Sequence, residues 1–301
     1  MHIAILPASP KTAQATIRTL LNINKQDIHI KAFYRDLSRV PASFLSHPNF
    51  HAVKGDVGDA NTLDLTGIDA VLVITPPVYD GSDYLEHARL VSQNTRTAIQ
   101  KAGVKRVVLL SSAGAEHESG TGEILTNHTA ETILRDSAPE VVLARCAYFM
   151  ENWATGVATV RSETPHLYSC IVPRDFGVPM VAVKDMARAF VDYLLASRIP
   201  ESPFVVEVQG PREYTSVDVQ RAFEEAIGKE VELRLVQGED LLQFFGAFLP
   251  KNTAEGFVEM TRAFLPGGVM HKAGAWGDRP VWKGETELRD VVRELCEGSD
   301  E

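Results

Sequence analysis

The sequence predicts a doubly wound α/β fold, in which helices cover both faces of a parallel sheet, followed by a smaller and mostly helical C-terminal lobe. The first half of the chain alternates short apolar strands with helical segments. Strands such as residues 70–74 are apolar on both faces, which is typical of strands buried in a parallel sheet. After Trp153 this alternation ends, and aromatic-rich helices follow.

The first half contains six predicted strands, each a short run rich in apolar residues. They cover residues 3–6, 28–34, 50–53, 70–74, 107–110 and 141–144. Apolar residues at helical spacing predict helices between them at residues 12–21, 84–103 and 126–136. Gly103 is placed to end the second of these helices.

The second half shows fewer clear elements. We predict a helix over residues 185–197, a strand over 204–208 and an edge strand over 230–236. Thr215 and Asp218 have the spacing of a capping box that opens a helix ending at Ile227. Two later helices carry aromatic faces, which would form core or the wall of an apolar pocket (Phe244, Phe245, Phe248, Phe257 and Phe264). Residues 267–284 have no period and predict either a loop packed by its aromatic side chains or a mobile lid.

Composition and charge exclude several classes of protein. Of 301 residues, 45% are hydrophobic and 23% charged, as in ordinary globular proteins. The formal net charge of −10 argues against a nucleic-acid partner. No apolar run approaches the ~20 residues that span a bilayer, and no signal peptide is evident. Three scattered cysteines suit neither a disulfide framework nor a zinc site. We therefore expect a cytoplasmic protein with no membrane, nucleic-acid or metal partner.

The most informative residues are those that follow the predicted strands, because ligands of such sheets bind at the carboxyl ends of the strands. Several short motifs also follow one another along the chain in a characteristic order: Tyr34-Arg35-Asp36, Gly55-Asp56-Val57, Thr75-Pro76, residues 102–106, residues 108–112 and Phe149-Met150-Glu151-Asn152. As a set they resemble the NmrA-like family, an atypical branch of the short-chain dehydrogenase/reductases. The resemblance extends over roughly residues 1–235. It implies a Rossmann-like dinucleotide-binding domain of residues 1–155, to which 181–209 return, and a substrate lobe of 156–180 and 210–301.

The first turn departs from the family pattern. The family carries G-x-x-G-x-x-G there, whereas this chain has Pro7, Pro10 and Ala13 at the glycine positions. Proline offers no N–H to a phosphate and cannot adopt a positive φ. The loop still offers amides, hydroxyls and one cation at a helix N-terminus, and such a terminus attracts anions. The expected phosphate contacts in this loop are Ala8, Ser9, Pro10, Lys11 and Thr12. The loop thus leaves two outcomes open: a weakened dinucleotide site or a vacated one.

Arg35 is the residue that indicates which cofactor would bind. The resemblance places it against an adenosine 2′-phosphate, which implies NADP(H) over NAD(H). The alternative is a surface arginine paired with Asp36. The family also implies that Asp56 contacts adenine, although it would equally cap its turn. The other expected cofactor contacts are Val57, Thr75, Pro76, Pro77, Ser111, His128, Ala147 and Phe149.

Proton-handling residues are less clear. Classical members of the superfamily use a Tyr-x-x-x-Lys pair, and this chain has Ile124 and His128 at those positions. Ser112, His128 and Tyr148 are the candidate catalytic residues, with packing or strand capping as the ordinary alternative for each. The candidate substrate contacts are Tyr79, Tyr148, Asn152 and Trp153.

These observations predict an NADPH-dependent reductase of an apolar or aromatic carbonyl, enone or imine. Two alternatives remain open: a non-catalytic NADP(H)-sensing regulator with a protein partner, and a redox-neutral isomerase or cyclase without cofactor. The chain has no His-Glu-x-x-His or Gly-x-Ser-x-Gly pattern, so metal-dependent and serine hydrolysis are not expected.

Overall fold

The computed structural model describes residues 1–23, 27–272 and 279–298. The strands within these residues are β1 (His2–Leu6), β2 (His29–Tyr34), β3 (Phe50–Lys54), β4 (Ala70–Ile74), β5 (Arg106–Ser112), β6 (Glu140–Cys146), β7 (Tyr148–Phe149), β8 (His166–Ser169), β9 (Val178–Val181), β10 (Phe204–Gln209), β11 (Glu213–Tyr214), β12 (Glu232–Leu235) and β13 (Val281–Lys283). The α-helices are α1 (Lys11–Asn22), α2 (Ala42–Leu45), α3 (Tyr84–Ala102), α4 (Leu125–Leu134), α5 (Val157–Val160), α6 (Val183–Leu195), α7 (Ser216–Ile227), α8 (Asp240–Gly246), α9 (Lys251–Phe264), α10 (Val269–Lys272) and α11 (Leu288–Glu297).

Eight strands form one parallel sheet in the order β13-β10-β6-β5-β4-β1-β2-β3. The order reverses between β1 and β4, where Leu6 pairs with Val73. A crevice therefore opens beyond the carboxyl ends of these two strands. The predicted fold class is confirmed, as are the six strands of the first half. The sheet also includes β10 and β13, so a strand near the C-terminus completes it.

The two faces of the sheet bury separate cores, because successive side chains of a strand point to opposite faces. Ile3 and Ile5 of β1 pack with α1 and α6, whereas Ala4 and Leu6 pack with α3 and α4. The predicted helices of the first half are confirmed to within two residues at each end. Gly103 ends α3 with a φ of 66°. The repeated βα units thus fix the carboxyl edge on which a site can form.

The second lobe is mostly helical, as predicted, and it also contains short strands. Two small sheets, β11-β9-β7 and β12-β8, lie in it beside the helices. Its core includes Met150, Leu167, Phe223 and Val292. The predicted capping box is confirmed: Thr215 accepts from the amide of Asp218 and the Asp218 carboxylate accepts from the amide of Thr215.

Helix α9 lies over the segment that follows β5. It packs on a short 3₁₀ turn, Gly122–Ile124, that leads into α4. Gly122 has a φ of +56°, and a Cβ there would overlap the carbonyl oxygen of Gly256. Only glycine at this position permits the close approach. Helix α9 therefore links the second lobe to the carboxyl edge of the large sheet.

The segment 267–284 is described in part. It contains α10 and β13, while residues 273–278, on which the choice between packed loop and lid depends, lie outside the described residues. Among the described helices, none is long and apolar enough to cross a membrane.

Candidate cofactor and substrate site

The first turn joins β1 to α1 at the crevice. The Ala8 amide donates to the carbonyl of Phe33, at 2.8 Å, and is not free to meet a ligand. Helix α1 begins after Pro10, and no side chain caps it. Its first amides, from Lys11 onward, lack intrahelical partners. Lys11 is exposed, while Ser9 is half-buried. The turn therefore retains an open helix N-terminus although its glycines are absent, and such a terminus attracts anions.

Arg35 follows β2 and is exposed. Its neighbour Asp36 turns toward Ser38 and accepts hydrogen bonds from the Ser38 amide at 2.9 Å and hydroxyl at 2.8 Å. These bonds lower the pKa of Asp36. Among the described residues no ion pair joins Arg35 to Asp36, so the pairing considered from the sequence is not observed. Arg35 is therefore an exposed cation at the carboxyl end of β2, the strand that pairs with β1.

Asp56 takes the turn-capping role. Its carboxylate accepts from the Gly58 amide at 2.9 Å, and its own amide donates to the Thr62 hydroxyl at 2.8 Å. Val57 is buried, and its carbonyl accepts from the Asn94 amide group. The turn after β3 is therefore rigid, and adenine contact by Asp56 stays a prediction.

A small enclosed cavity of about 10 Å³, room for about one water molecule, lies beyond the end of β4. It is lined by Thr75, Pro76, Pro77, Val78, Tyr79, Tyr84, Ala88, Glu123, Thr126 and Thr253. The Thr75 hydroxyl is buried and has no hydrogen-bond partner among the described residues. Tyr79 is 46% exposed and lies edge-on to Phe257 of α9, with ring centroids 6.1 Å apart. The cavity thus combines apolar walls with several hydroxyl groups and one carboxyl.

The two serines at the end of β5 point in opposite directions, as successive strand residues must. The Ser111 hydroxyl donates to Glu131 at 2.5 Å, and Arg145 binds the same carboxylate through two nitrogens at 2.9 and 2.7 Å. The Ser112 hydroxyl donates to the carbonyl of Ala113 at 3.0 Å. Ser111 is therefore part of a buried network, and its contact with a cofactor remains a prediction.

This network continues to the edge of the sheet. Arg145 also binds Glu116 at 2.9 Å, and Arg279 bridges Glu116 and Glu207 at 3.1 Å each. Glu207 is 1% exposed, and burial raises its pKa to about 7. Sequence reasoning missed this network. The available signal was a charged residue inside each apolar strand, Arg145 in β6 and Glu207 in β10.

His128 lies on α4 with its Nδ1 2.9 Å from the carbonyl of Ala115. Because a carbonyl only accepts, Nδ1 donates, and in the neutral ring Nε2 is left as an acceptor. Ile124, one turn earlier, is buried with Ala113 and Met270. The position of the classical tyrosine thus carries no polar group.

Tyr148 lies on β7, which pairs with β9 in the three-stranded sheet, and packs against the core of the second lobe. Its ring lies 5.8 Å from that of Trp153 and 6.5 Å from that of Phe264. Burial raises the pKa of Tyr148, and a hydrogen bond with Asn152 offsets this only in part. Such a phenol is a weak acid at neutral pH. Within the described residues, no hydrogen bond joins Ser112, His128 and Tyr148 to one another.

The two residues that flank Tyr148 have different surroundings. Ala147 is buried, and its amide donates to the carbonyl of Val208 at 2.9 Å. Phe149 is half-buried at the end of β7. Their contact with a cofactor remains a prediction.

Glu123 is a further candidate that sequence reasoning missed. Its carboxyl lines the cavity beside Tyr79 and Tyr84. Burial raises its pKa to about 7. The sequence offers one signal, an acidic residue between Gly122 and the apolar Ile124. The described residues contain no cluster of His, Cys, Asp and Glu able to hold a metal ion.

Several solved structures share this architecture. An Escherichia coli NADPH-dependent quinone oxidoreductase, complexed with NADPH, is 20% identical, with a TM-score of 0.73 over 97% of this chain and 99% of its own. A Citrobacter triphenylmethane reductase is 19% identical, with a TM-score of 0.73 over 99% of this chain and 100% of its own. A Staphylococcus aureus nucleoside-diphosphate-sugar epimerase is 14% identical, with a TM-score of 0.72 over 98% and 100%. At these identities the likeness shows the fold.

Sequence comparison gives the family. No curated protein matches the chain. A family model described as NAD(P)H-binding matches residues 8–194, which include the first turn, the crevice and strands β2 to β6. Because this match spans more than half of the sequence, the protein belongs to the NAD(P)H-binding family.

Proposed function

We propose that this protein is an NADPH-dependent reductase of the NmrA-like branch that acts on an apolar or aromatic carbonyl, enone or imine. The observation that carries the proposal is the exposed Arg35 at the carboxyl end of β2, which forms no ion pair within the described residues; β2 pairs with β1, the strand that leads into the uncapped N-terminus of α1. A guanidinium recognises a phosphate by charge-assisted, often bidentate hydrogen bonds. An acidic residue there would instead favour NAD(H).

The residues around the crevice fit a dinucleotide, with fewer donors than a glycine loop supplies. Pro7 and Pro10 offer no N–H, and the Ala8 amide is already used. The first amides of α1 and the Lys11 ammonium remain for the pyrophosphate, and Arg35 for the 2′-phosphate. Residues 75–77 border the nicotinamide end. The bound cofactor would supply the hydride, and the chain would bind and orient the substrate.

Aromatic side chains support the substrate class. Tyr79 lies against Phe257 and Tyr148 against Phe264. The two phenylalanines are seven residues apart on α9, a separation of about 10 Å along its axis. The exposed ring of Tyr79 offers a surface that suits a flat apolar molecule, whereas Tyr148 and Phe264 pack against the core of the second lobe. The quinone oxidoreductase and the triphenylmethane reductase that share the fold are reductive enzymes of this general kind.

Calorimetric titration with NADPH and NADH tests the proposal. We expect NADPH to bind more tightly than NADH, and Arg35→Ala to weaken NADPH binding about tenfold or more while NADH binding stays constant, since a charge-assisted bond is lost. Arg39→Ala, on the exposed turn just after Arg35, is the matched control and should leave both affinities unchanged. Absence of binding by either dinucleotide at millimolar concentration would refute the proposal. Equal losses for both would assign Arg35 a structural role.

A second candidate, a non-catalytic NADP(H)-binding regulator, is favoured by one observation. Ile124 is buried at the position of the classical tyrosine, so that position donates no proton. Incubation with NADPH and a panel of aromatic carbonyls and quinones separates the two candidates. Consumption of NADPH with any of them excludes the regulator, whereas tight binding without turnover supports it.

A further inference from the structure

We propose that Met270 determines which substrates this protein accepts, because its thioether side chain forms the ceiling over the reacting end of the substrate site. This inference rests on the proposed reductase function. It assigns a specificity-determining residue that lies outside the sequence motifs and outside the residues 8–194 that the family model matches. The preferred substrates are then aromatic carbonyl compounds with a single ring.

The first argument is the tight turn that follows β5. The Ala115 amide donates to the carbonyl of Ser112 at 3.0 Å, which closes a turn of residues 112–115. Gly114 has a φ of +90°, the left-handed conformation that a type II turn requires at its third residue. The carbonyl of Ala115 in turn accepts from Nδ1 of His128 at 2.9 Å. Two candidate catalytic residues, Ser112 and His128, therefore border this turn.

Met270 lies directly on the turn. A Cβ on Gly114 would come within 2.8 Å of the Met270 Sδ and 2.9 Å of its Cε. Met270 is 3% exposed and packs with Ala113 and Ile124, and Ile124 is the residue at the position of the classical tyrosine. Classical members bring the substrate carbonyl to that tyrosine. In this chain the thioether closes the same space.

The backbone of α10, the helix that carries Met270, is held from two sides. A Cβ on Gly268 would overlap the carbonyl oxygen of Ala263, so only glycine lets the chain pass this close to α9. Beyond Met270, the ring of His271 lies edge-on to that of Phe176, with centroids 5.7 Å apart. The side chain of Met270, and not the helix as a whole, is therefore the part that yields to a substrate.

A methionine suits a ceiling that must admit aromatic molecules. Its side chain is unbranched and has three rotatable bonds, and its sulfur makes favourable contacts with aromatic rings. Phe264 packs on the same cluster as Met270 and lies 6.5 Å from Tyr148, a candidate substrate contact. Rotation of the thioether admits one ring, whereas a fused ring system also needs the volume that the Met270 side chain occupies.

Met270→Ala tests the assignment, with Val269→Ala as the matched control because Val269 lies on the same helix and is 40% exposed. With NADPH, wild-type protein should reduce benzaldehyde with a kcat/KM about tenfold or more above that for 2-naphthaldehyde. Met270→Ala should raise kcat/KM for 2-naphthaldehyde about tenfold and change that for benzaldehyde less than about threefold, since only the larger aldehyde needs the added room. Val269→Ala should leave both values unchanged.

Binding gives a readout that does not depend on turnover. In the presence of NADP⁺, calorimetric titration should show an affinity for 2-naphthaldehyde that rises about tenfold in Met270→Ala and stays constant in Val269→Ala. Met270→Val, a milder truncation, should give a smaller gain of the same sign and serves where alanine impairs folding.

An unchanged ratio of the two aldehydes in Met270→Ala and Met270→Val would overturn the assignment while NADPH binding still upheld the proposed function. Absence of aldehyde binding in all of these proteins would overturn it as well. Failure of the dinucleotides to bind would overturn both the assignment and the proposed function.

Discussion

Glu207 lies on the buried strand β10, and only one of its two carboxylate oxygens has a hydrogen-bond partner among the described residues. One of its oxygens accepts from Arg279 at 3.1 Å, and the other is buried without a partner among the described residues. Burial of a charge raises the energy of the ionised form, and a single guanidinium that is shared with Glu116 does not cancel this cost. The residue therefore couples protonation to the stability of the sheet.

The direction of this coupling is defined. The pKa of Glu207 is raised from 4.5 to about 7 in the folded protein, so the folded state holds this proton more tightly than the unfolded state. The associated stabilisation is present below about pH 4.5 and is lost as pH rises to about 7, a change of about 3 kcal/mol. Urea unfolding at pH 5 and pH 8 should show that Glu207→Gln gains about this much relative to wild type at the higher pH. A difference that is the same at both values would contradict the prediction.

Single residues differed in how far their roles could be predicted. The opposite directions of Ser111 and Ser112 follow from strand alternation and were available from sequence. The partner of Ser111 was not, because Glu131 lies on helix α4 and the hydrogen bond forms only when that helix packs on the sheet. The alternative considered for Arg35, a pairing with Asp36, is not observed among the described residues, for a local reason. The short Asp36 side chain reaches the amide two residues onward more easily than it reaches Arg35.

At the scale of elements, the strands that were predicted are those with a strong pattern. β4 and β5 are apolar on both faces, so their sequence distinguishes them from helices and loops. The short strands β7 and β11, of two residues each, have no detectable period and were missed. The Thr215 capping box was predicted because all its parts lie within four residues.

The crossing of α9 over the turn before α4 is an element-scale feature that a single methyl group would disrupt. Gly122→Ala places a Cβ against the carbonyl of Gly256 and forces alanine to a φ of +56°. We expect the free energy of unfolding to fall by about 3 kcal/mol, measured by denaturant titration.

Gly246→Ala is the control for this crossing. Gly246 is the last residue of α8 and has no positive φ, and a Cβ at this position would meet nothing within 4 Å. Alanine should therefore be neutral or stabilise by up to about 1 kcal/mol. Equal effects of the two substitutions would show that α9 does not press on this turn.

For the whole molecule, the candidate site depends on contacts between distant parts of the chain. β1 and β4 create the crevice, while α9 supplies Phe257 and Phe264 from a region nearly 200 residues away in sequence. The predicted parallel sheet indicated a crevice at the carboxyl ends of its strands, and several of the family motifs follow those strands. It did not predict the cavity around Glu123, since nothing local to residue 123 specifies which helix will cover it. Long-range packing therefore determines the chemistry of the site more than any one motif does.

Cofactor binding should be visible as a change in global stability and local exchange. A ligand that binds the folded state alone stabilises it by about 2.7 kcal/mol at a hundredfold excess over its Kd, which for a chain of this size raises Tm by about 5 °C. We expect this shift with NADPH and a smaller one with NADH at the same concentration. Hydrogen exchange should slow at residues 9–13 and 75–79, which border the crevice, and stay constant in α7, which packs in the core of the second lobe. Protection from exchange confined to α7 would place the binding site elsewhere. Equal shifts in Tm with the two dinucleotides would remove the role of Arg35 in selecting the cofactor.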